Sequence, residues 1–167
     1  MTRFGLFLLA GCALAAGCGD DNTTAPSTAP VVFTAQLRPA NEVPPITNAE
    51  SGGTGAVQIT FEGADAGAQT ASFHIQLSGF PAGTTLTGAH IHPGAPGVNG
   101  GVVVGTGISA TTPLALTEGI TSFDTGNINV SAATAQAILN NPGGFYFNVH
   151  STVNPGGVAR GQLVRIQ

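Results

Sequence analysis

The chain has 167 residues, enough for one domain of ordinary size with its own core and too few for a second independent fold. Only 7% of positions are charged while 42% are hydrophobic, which excludes a disordered chain, and 25 glycines with 11 prolines point to a turn-rich architecture. The cations are Arg3, Arg38, Arg160 and Arg165 alone, and a formal net charge of -4 leaves no basic stripe for a phosphate backbone, so nucleic acid is excluded as a partner.

In chain order, Met1-Thr2-Arg3 supplies a positive charge and Phe4 to Ala16 an apolar run too short to span a bilayer. Small residues then lead to Cys18, so residues 1–17 read as a secretory signal. The run Leu14-Ala15-Ala16-Gly17-Cys18 resembles the lipobox of bacterial lipoproteins, whose cysteine is acylated and becomes the first residue of the mature chain. Leu9-Ala10-Gly11-Cys12 fits that pattern better residue by residue, but cleavage there would leave a signal of only eleven residues, so Cys18 is the expected lipid site. The alternative is an ordinary secretory signal with an incidental cysteine. Residues 18–30 are turn and tract residues without apolar periodicity, a solvated spacer that lets a domain over 31–167 stand off a membrane. The expected location is the cell envelope, facing periplasm or extracellular space, with the membrane as partner through the lipid. Because both cysteines fall in the first eighteen residues, the domain itself holds no disulfide, thiolate nucleophile or cysteine metal site.

From Val31 on, apolar residues alternate with period two. Phe33, Ala35 and Leu37 share one face of a first strand, Val57, Ile59 and Phe61 of a second, and Ala71, Phe73, Ile75 and Leu77 of a third. Further strands are expected at Leu86 to His92, Val102 to Val104, Leu114 to Leu116, Ile128 to Val130, Phe145 to His150 and Val158 to Ile166, eight or nine in all. One helical window, Ser131 to Asn141, has Ser131 as cap and Pro142-Gly143-Gly144 as stop. Strands without long intervening helices predict an all-β fold: a two-sheet antiparallel β-sandwich, Greek-key-like, with one short helix.

Polar chemistry concentrates in two strands. In Gly88-Ala89-His90-Ile91-His92, strand geometry puts His90 and His92 on one face, about 7 Å apart, and an H-x-H pair can chelate. Tyr146, Asn148 and His150 likewise share a face, with Phe145, Phe147 and Val149 turned to the core. If the two strands are neighbours, three imidazoles converge as on a Cu or Zn site that keeps a further position open. The competing reading is that these rings, and Asn148 with them, donate N–H bonds to loop carbonyls and so fix the Gly- and Pro-rich loops. Pro93 to Gly101 forms a tight loop against the histidine strand, and it is no phosphate loop, since neither a Lys-Ser/Thr pair nor a helix follows it. Arg160 and Gln162 share a strand face after the Asn154-Pro155-Gly156-Gly157 turn, and Glu42 is the expected ion-pair partner of Arg160, clamping the Pro-rich segment 40–45. No Gly-x-Ser-x-Gly elbow occurs, Ser151 beside His150 lacks a third member, and the acidic residues are scattered, which speaks for solubility rather than a carboxylate pair.

Three blocks together, Ala40 to Pro45, Gly88 to Val104 and Phe145 to Leu163, resemble the CHRD family, the domain named for animal chordin. The resemblance runs from about Val31 to Ile166. It implies an extracytoplasmic, mainly β domain of the kind found in secreted or anchored bacterial proteins. Chordin's growth-factor antagonism does not carry over, because the cysteine-rich modules that perform it are missing here. More locally, His90-Ile91-His92 is similar to the H-x-H copper strand of Cu/Zn superoxide dismutases. Four histidines and no domain cysteine leave room for a mononuclear site at most. The expected function is therefore a non-catalytic binding or interaction module for an unknown protein or small-molecule ligand, with His90, His92 and His150 as candidate metal or ligand residues. Glu42, Asn148 and Arg160 are expected beside them in structural or ligand-facing roles. The alternative is a mononuclear Cu or Zn metalloprotein with superoxide-dismutase-like redox or hydrolytic activity.

Overall fold

The computed structural model describes residues 1, 29–63 and 69–167; the signal, both cysteines and most of the spacer lie outside the described residues. Among the described residues, ten strands and one α-helix follow in chain order: β1 (Val31–Leu37), β2 (Thr54–Glu62), β3 (Gln69–Ser78), β4 (Thr84–Pro93), β5 (Val104–Gly105), β6 (Leu114–Leu116), β7 (Thr121–Val130), α1 (Ala132–Asn140), β8 (Phe145–Ser151), β9 (Ala159–Gln162) and β10 (Val164–Arg165). They build two antiparallel sheets. One runs β10-β1-β2-β3-β7 and the other β5-β4-β8-β9, with β6 also on β4. β7 returning beside β3 and β8 beside β4 are the crossed connections expected of a Greek-key sandwich.

The alternation read from the sequence fills the space between the sheets. Phe33, Leu37, Val57, Ile59, Phe61, Phe73 and Ile75 from the first sheet meet Leu86, Ile91, Phe147 and Val149 from the second, all buried. Phe73 and Phe147 join the layers directly, ring centroids 5.8 Å apart. Ser131 caps α1 by accepting the Thr134 N–H at 3.1 Å, and Ala135 and Ile138 bury the inner face of the helix.

Three expectations need correction. The strand expected at Val102 to Val104 is only Val104–Gly105, because residues 94–103 fold back as a loop and leave Val102 and Val103 exposed. The strand expected at Ile128 to Val130 is the last part of the ten-residue β7, whose polar, half-exposed sequence carries little alternation. The strand expected at Val158 to Ile166 divides at Leu163: β9 pairs with β8 in one sheet, β10 with β1 in the other. Just past β1, Arg38 bridges Arg160 in the same register that pairs Phe33 with Arg165 and Thr34 with Val164. One stretch of chain thus stitches both sheets along one long side. Gly161 makes that possible, since a Cβ there would collide with the Gln36 carbonyl oxygen of β1.

What positions the site is the second sheet. β4 and β8 are adjacent, with His92 opposite Tyr146, His90 opposite Asn148 and Gly88 opposite His150. Their inner face is core. Their outer face would be solvated in a simple sandwich, yet loop 94–103 and the segments around 39–48 and 152–157 cover it, so β8 is buried along most of its length on both sides.

Candidate metal centre

Antiparallel pairing sets the outward side chains of β4, β8 and β9 in rows: His92 with Tyr146 and Gln162, His90 with Asn148 and Arg160, Gly88 with His150. Between Leu86 and Gly88 the register slips, a β-bulge that keeps Leu86 and Ala89 in the core while Gly88 comes under the His90 and His150 rings. The three imidazoles form a triangle. Their centroids are 5.0 Å apart for His90 and His150, 5.7 Å for His90 and His92, and 5.8 Å for His92 and His150. Each can offer one nitrogen such that all three lie within 4.8 Å of one another.

Hydrogen bonding determines which nitrogens these are. The Nδ1–H of His92 donates to the Gly100 carbonyl at 2.9 Å, and that of His150 to the Pro155 carbonyl at 3.0 Å. A carbonyl only accepts, so in both neutral rings Nε2 carries the lone pair. Those two Nε2 atoms, and Nδ1 of His90, are buried and without any hydrogen-bond partner. Metal-binding histidines are oriented in this manner, the outer nitrogen held by a carbonyl and the inner one left free. The two readings of the histidines therefore combine in His92 and His150, which tie down a loop with one nitrogen and turn the other inward.

The electrostatics suit a neutral ligand set. Burial, with the charges His150 and His92 would carry, pushes the His90 imidazole down to about 4. Burial also lowers His92, against the opposing hydrogen bond to Gly100, and lowers His150, against that to Pro155. At neutral pH all three lone pairs are available. The fourth histidine, His74, is on the other sheet and pairs with Asp124 at 2.7 Å.

A polar layer continues from the trio. Tyr146 stacks on His92 with centroids 5.0 Å apart and planes 7° from parallel, and accepts the Gly100 N–H at 3.2 Å. Arg160 places Cζ 4.4 Å from the Tyr146 centroid, and its Nη1 donates to the Val98 carbonyl at 3.2 Å and to Asn99 Oδ1 at 2.8 Å. The expected Glu42–Arg160 ion pair does not form, because the guanidinium is taken up by loop 94–103 and the tyrosine ring. Glu42 sits instead beside Asn148, whose side chain counters part of the burial cost of its carboxylate. Burial raises its carboxyl to about 7, against the lowering effects of the Arg160 charge and Asn148. Glu42 Oε1, Asn148 Oδ1 and Arg160 Nη2 remain without partners.

Glu50 is the residue that sequence reasoning missed. Rather than serving solubility it is 3% exposed, accepts Ser151 Oγ–H at 2.6 Å and binds the side chain of Asn154. It thereby anchors the turn whose Pro155 carbonyl orients His150. The one available signal was the Asn48 cap, which accepts the Glu50 N–H at 3.0 Å and holds that short 3-10 turn against the strand. Ser151 is committed to Glu50 and lies one residue, hence one face, away from His150, so the pair forms no nucleophile and base.

Among the described residues no helix is long and apolar enough to cross a membrane. A family model described as CHRD domain matches residues 33–163 of the chain. No curated protein and no solved structure matches it.

Proposed function

The chain belongs to the CHRD-domain family, and from that premise we propose that it is an envelope-anchored, extracytoplasmic binding module whose His90, His92 and His150 hold one copper or zinc ion. The observation that carries the metal reading is the set of three buried, unpartnered ring nitrogens turned toward one another. Leaving three such acceptors unpaired inside a fold is costly, and an ion of the imidazole-preferring kind satisfies all three at once. With no thiolate and no carboxylate among the three, hard cations such as calcium and magnesium are poorly served. The lipobox-like run ending at Cys18 supports the anchor.

Titration of the metal-free protein tests this reading. One equivalent of Cu(II) or Zn(II) should bind, with a rise in melting temperature equivalent to about 2.7 kcal/mol at a free ion concentration a hundred times Kd. A variant with alanine at all three histidines should show neither. Absence of binding and of a melting shift in the unmodified protein would remove the metal from the proposal. Three protein ligands leave a coordination position for water or dioxygen species, which is what favours redox or hydrolytic turnover as a second reading. Stoichiometric metal without turnover of superoxide or of activated esters would decide for the binding module.

A further inference from the structure

His92 of β4, Tyr146 of β8 and Arg160 of β9 meet on three adjacent strands: the imidazole stacks on the tyrosine ring at 5.0 Å, and the guanidinium, from the neighbouring row, places Cζ 4.4 Å from the centroid of the same ring. Arg160 is 1% exposed. Its Nη1 reaches only uncharged oxygens, Nη2 has no partner, and Glu42 is not within ion-pair distance. A desolvated, weakly compensated positive charge therefore rests on the same tyrosine ring that stacks on a candidate ligand. The ligands themselves are three neutral imidazoles, which leave a bound ion with its whole charge. Repulsion between two cations scales with the product of their charges, so at the same place a divalent ion is penalised twice as heavily as a monovalent one.

We propose that Arg160, packed on Tyr146, sets the valence preference of the centre, disfavouring divalent ions and holding copper as Cu(I). This rests on the metal reading above and adds to it the oxidation state and the residue that selects it. Arg160 touches no ligand nitrogen and acts as a positioning and electrostatic residue. Reduction of bound Cu(II) takes one electron from an external donor such as ascorbate and no proton, since the ligands are neutral in both states.

Affinities for Cu(I), by competition with bicinchoninate, and for Cu(II), by competition with glycine, give the preference as a ratio. Arg160→Gln removes the charge and should raise Cu(II) affinity relative to Cu(I) about tenfold, which lowers the one-electron potential by about 59 mV. Arg160→Lys keeps the charge without the planar stack and should shift the ratio much less. Glu42→Gln, measured at pH 8, removes the negative charge that partly offsets Arg160 and should move the ratio the other way; it decides the matter alone if Arg160→Gln does not fold. Equal shifts in the two Arg160 variants would show a packing effect and overturn the proposal, as would a Glu42→Gln shift in the same direction as Arg160→Gln, or no shift in either glutamine variant. Failure of the unmodified protein to bind copper in either state would take down the metal reading itself, a result distinct from copper binding without charge dependence.

Discussion

Gly88 lies under the rings of His90 and His150, and a Cβ built there would come within 2.6 Å of His90 Cε1 and 3.2 Å of His150 Cδ2. The position holds space for the rings, so Gly88→Ala should weaken Cu(II) binding by about 10- to 100-fold, the range seen when the support of a metal ligand is disturbed. Isothermal titration beside a melting curve separates this from unfolding. Protonation acts on the same rings with a definite sign. Below the ordinary histidine value of 6.5 an unfolded chain takes up protons, while burial makes the folded rings refuse them, His90 down to about 4. Stability of the metal-free protein is therefore lost as pH falls from about 6.5 toward about 4. Glu42 works in reverse: raised from 4.5 to about 7, its contribution is full below 4.5 and is lost as pH rises through 7. Denaturant midpoints between pH 4.5 and 8 should show Glu42→Gln climbing more steeply than the unmodified protein up to pH 6.5 and holding level above it, where the unmodified protein declines.

At the scale of elements, the centre depends on two strands and on the turns that close over them. Glu50 holds the turn after β8 through Ser151 and Asn154. Glu50→Ala leaves those groups without their acceptor and should cost about 1–3 kcal/mol of stability, read from urea unfolding. Metal affinity should fall with it, by less than in His150→Ala, since the Pro155 carbonyl itself remains. The strands and the H-x-H pair were legible because alternation is local, and Phe147 and Val149 could be assigned to the core from β8 alone. Alternation could not show that loops rather than water cover the other face of β8, so the burial of Glu42 and Glu50 stayed hidden. The bulge at Leu86 to Gly88 was hidden as well, because an extra residue in one strand becomes visible only against its partner. Arg160 was singled out, but its neighbours lie some sixty residues away in loop 94–103, beyond the reach of pattern, and the guess of Glu42, farther still along the chain, failed.

For the whole molecule, the proposed anchor and the proposed ion site belong to separate parts of the chain. Cys18→Ser should move the protein from the membrane to the soluble fraction and abolish incorporation of labelled palmitate, while copper and zinc titrations stay unchanged; continued membrane retention would refute the lipid anchor. The sandwich itself is asymmetric in strength. On one long side the run from Arg160 to Arg165 pairs with the β1 segment of the opposite sheet, whereas among the described residues no backbone pairing joins β7 to β5 on the other. The two layers accordingly behave like covers bound at a spine. Thermal opening should start at the unbound fore-edge, with amide hydrogens of β8, the strand next to the spine, among the last to exchange. An ion seated between β4 and β8 would thus outlast the first stages of melting, and its release would mark the loss of the fold and not merely its loosening.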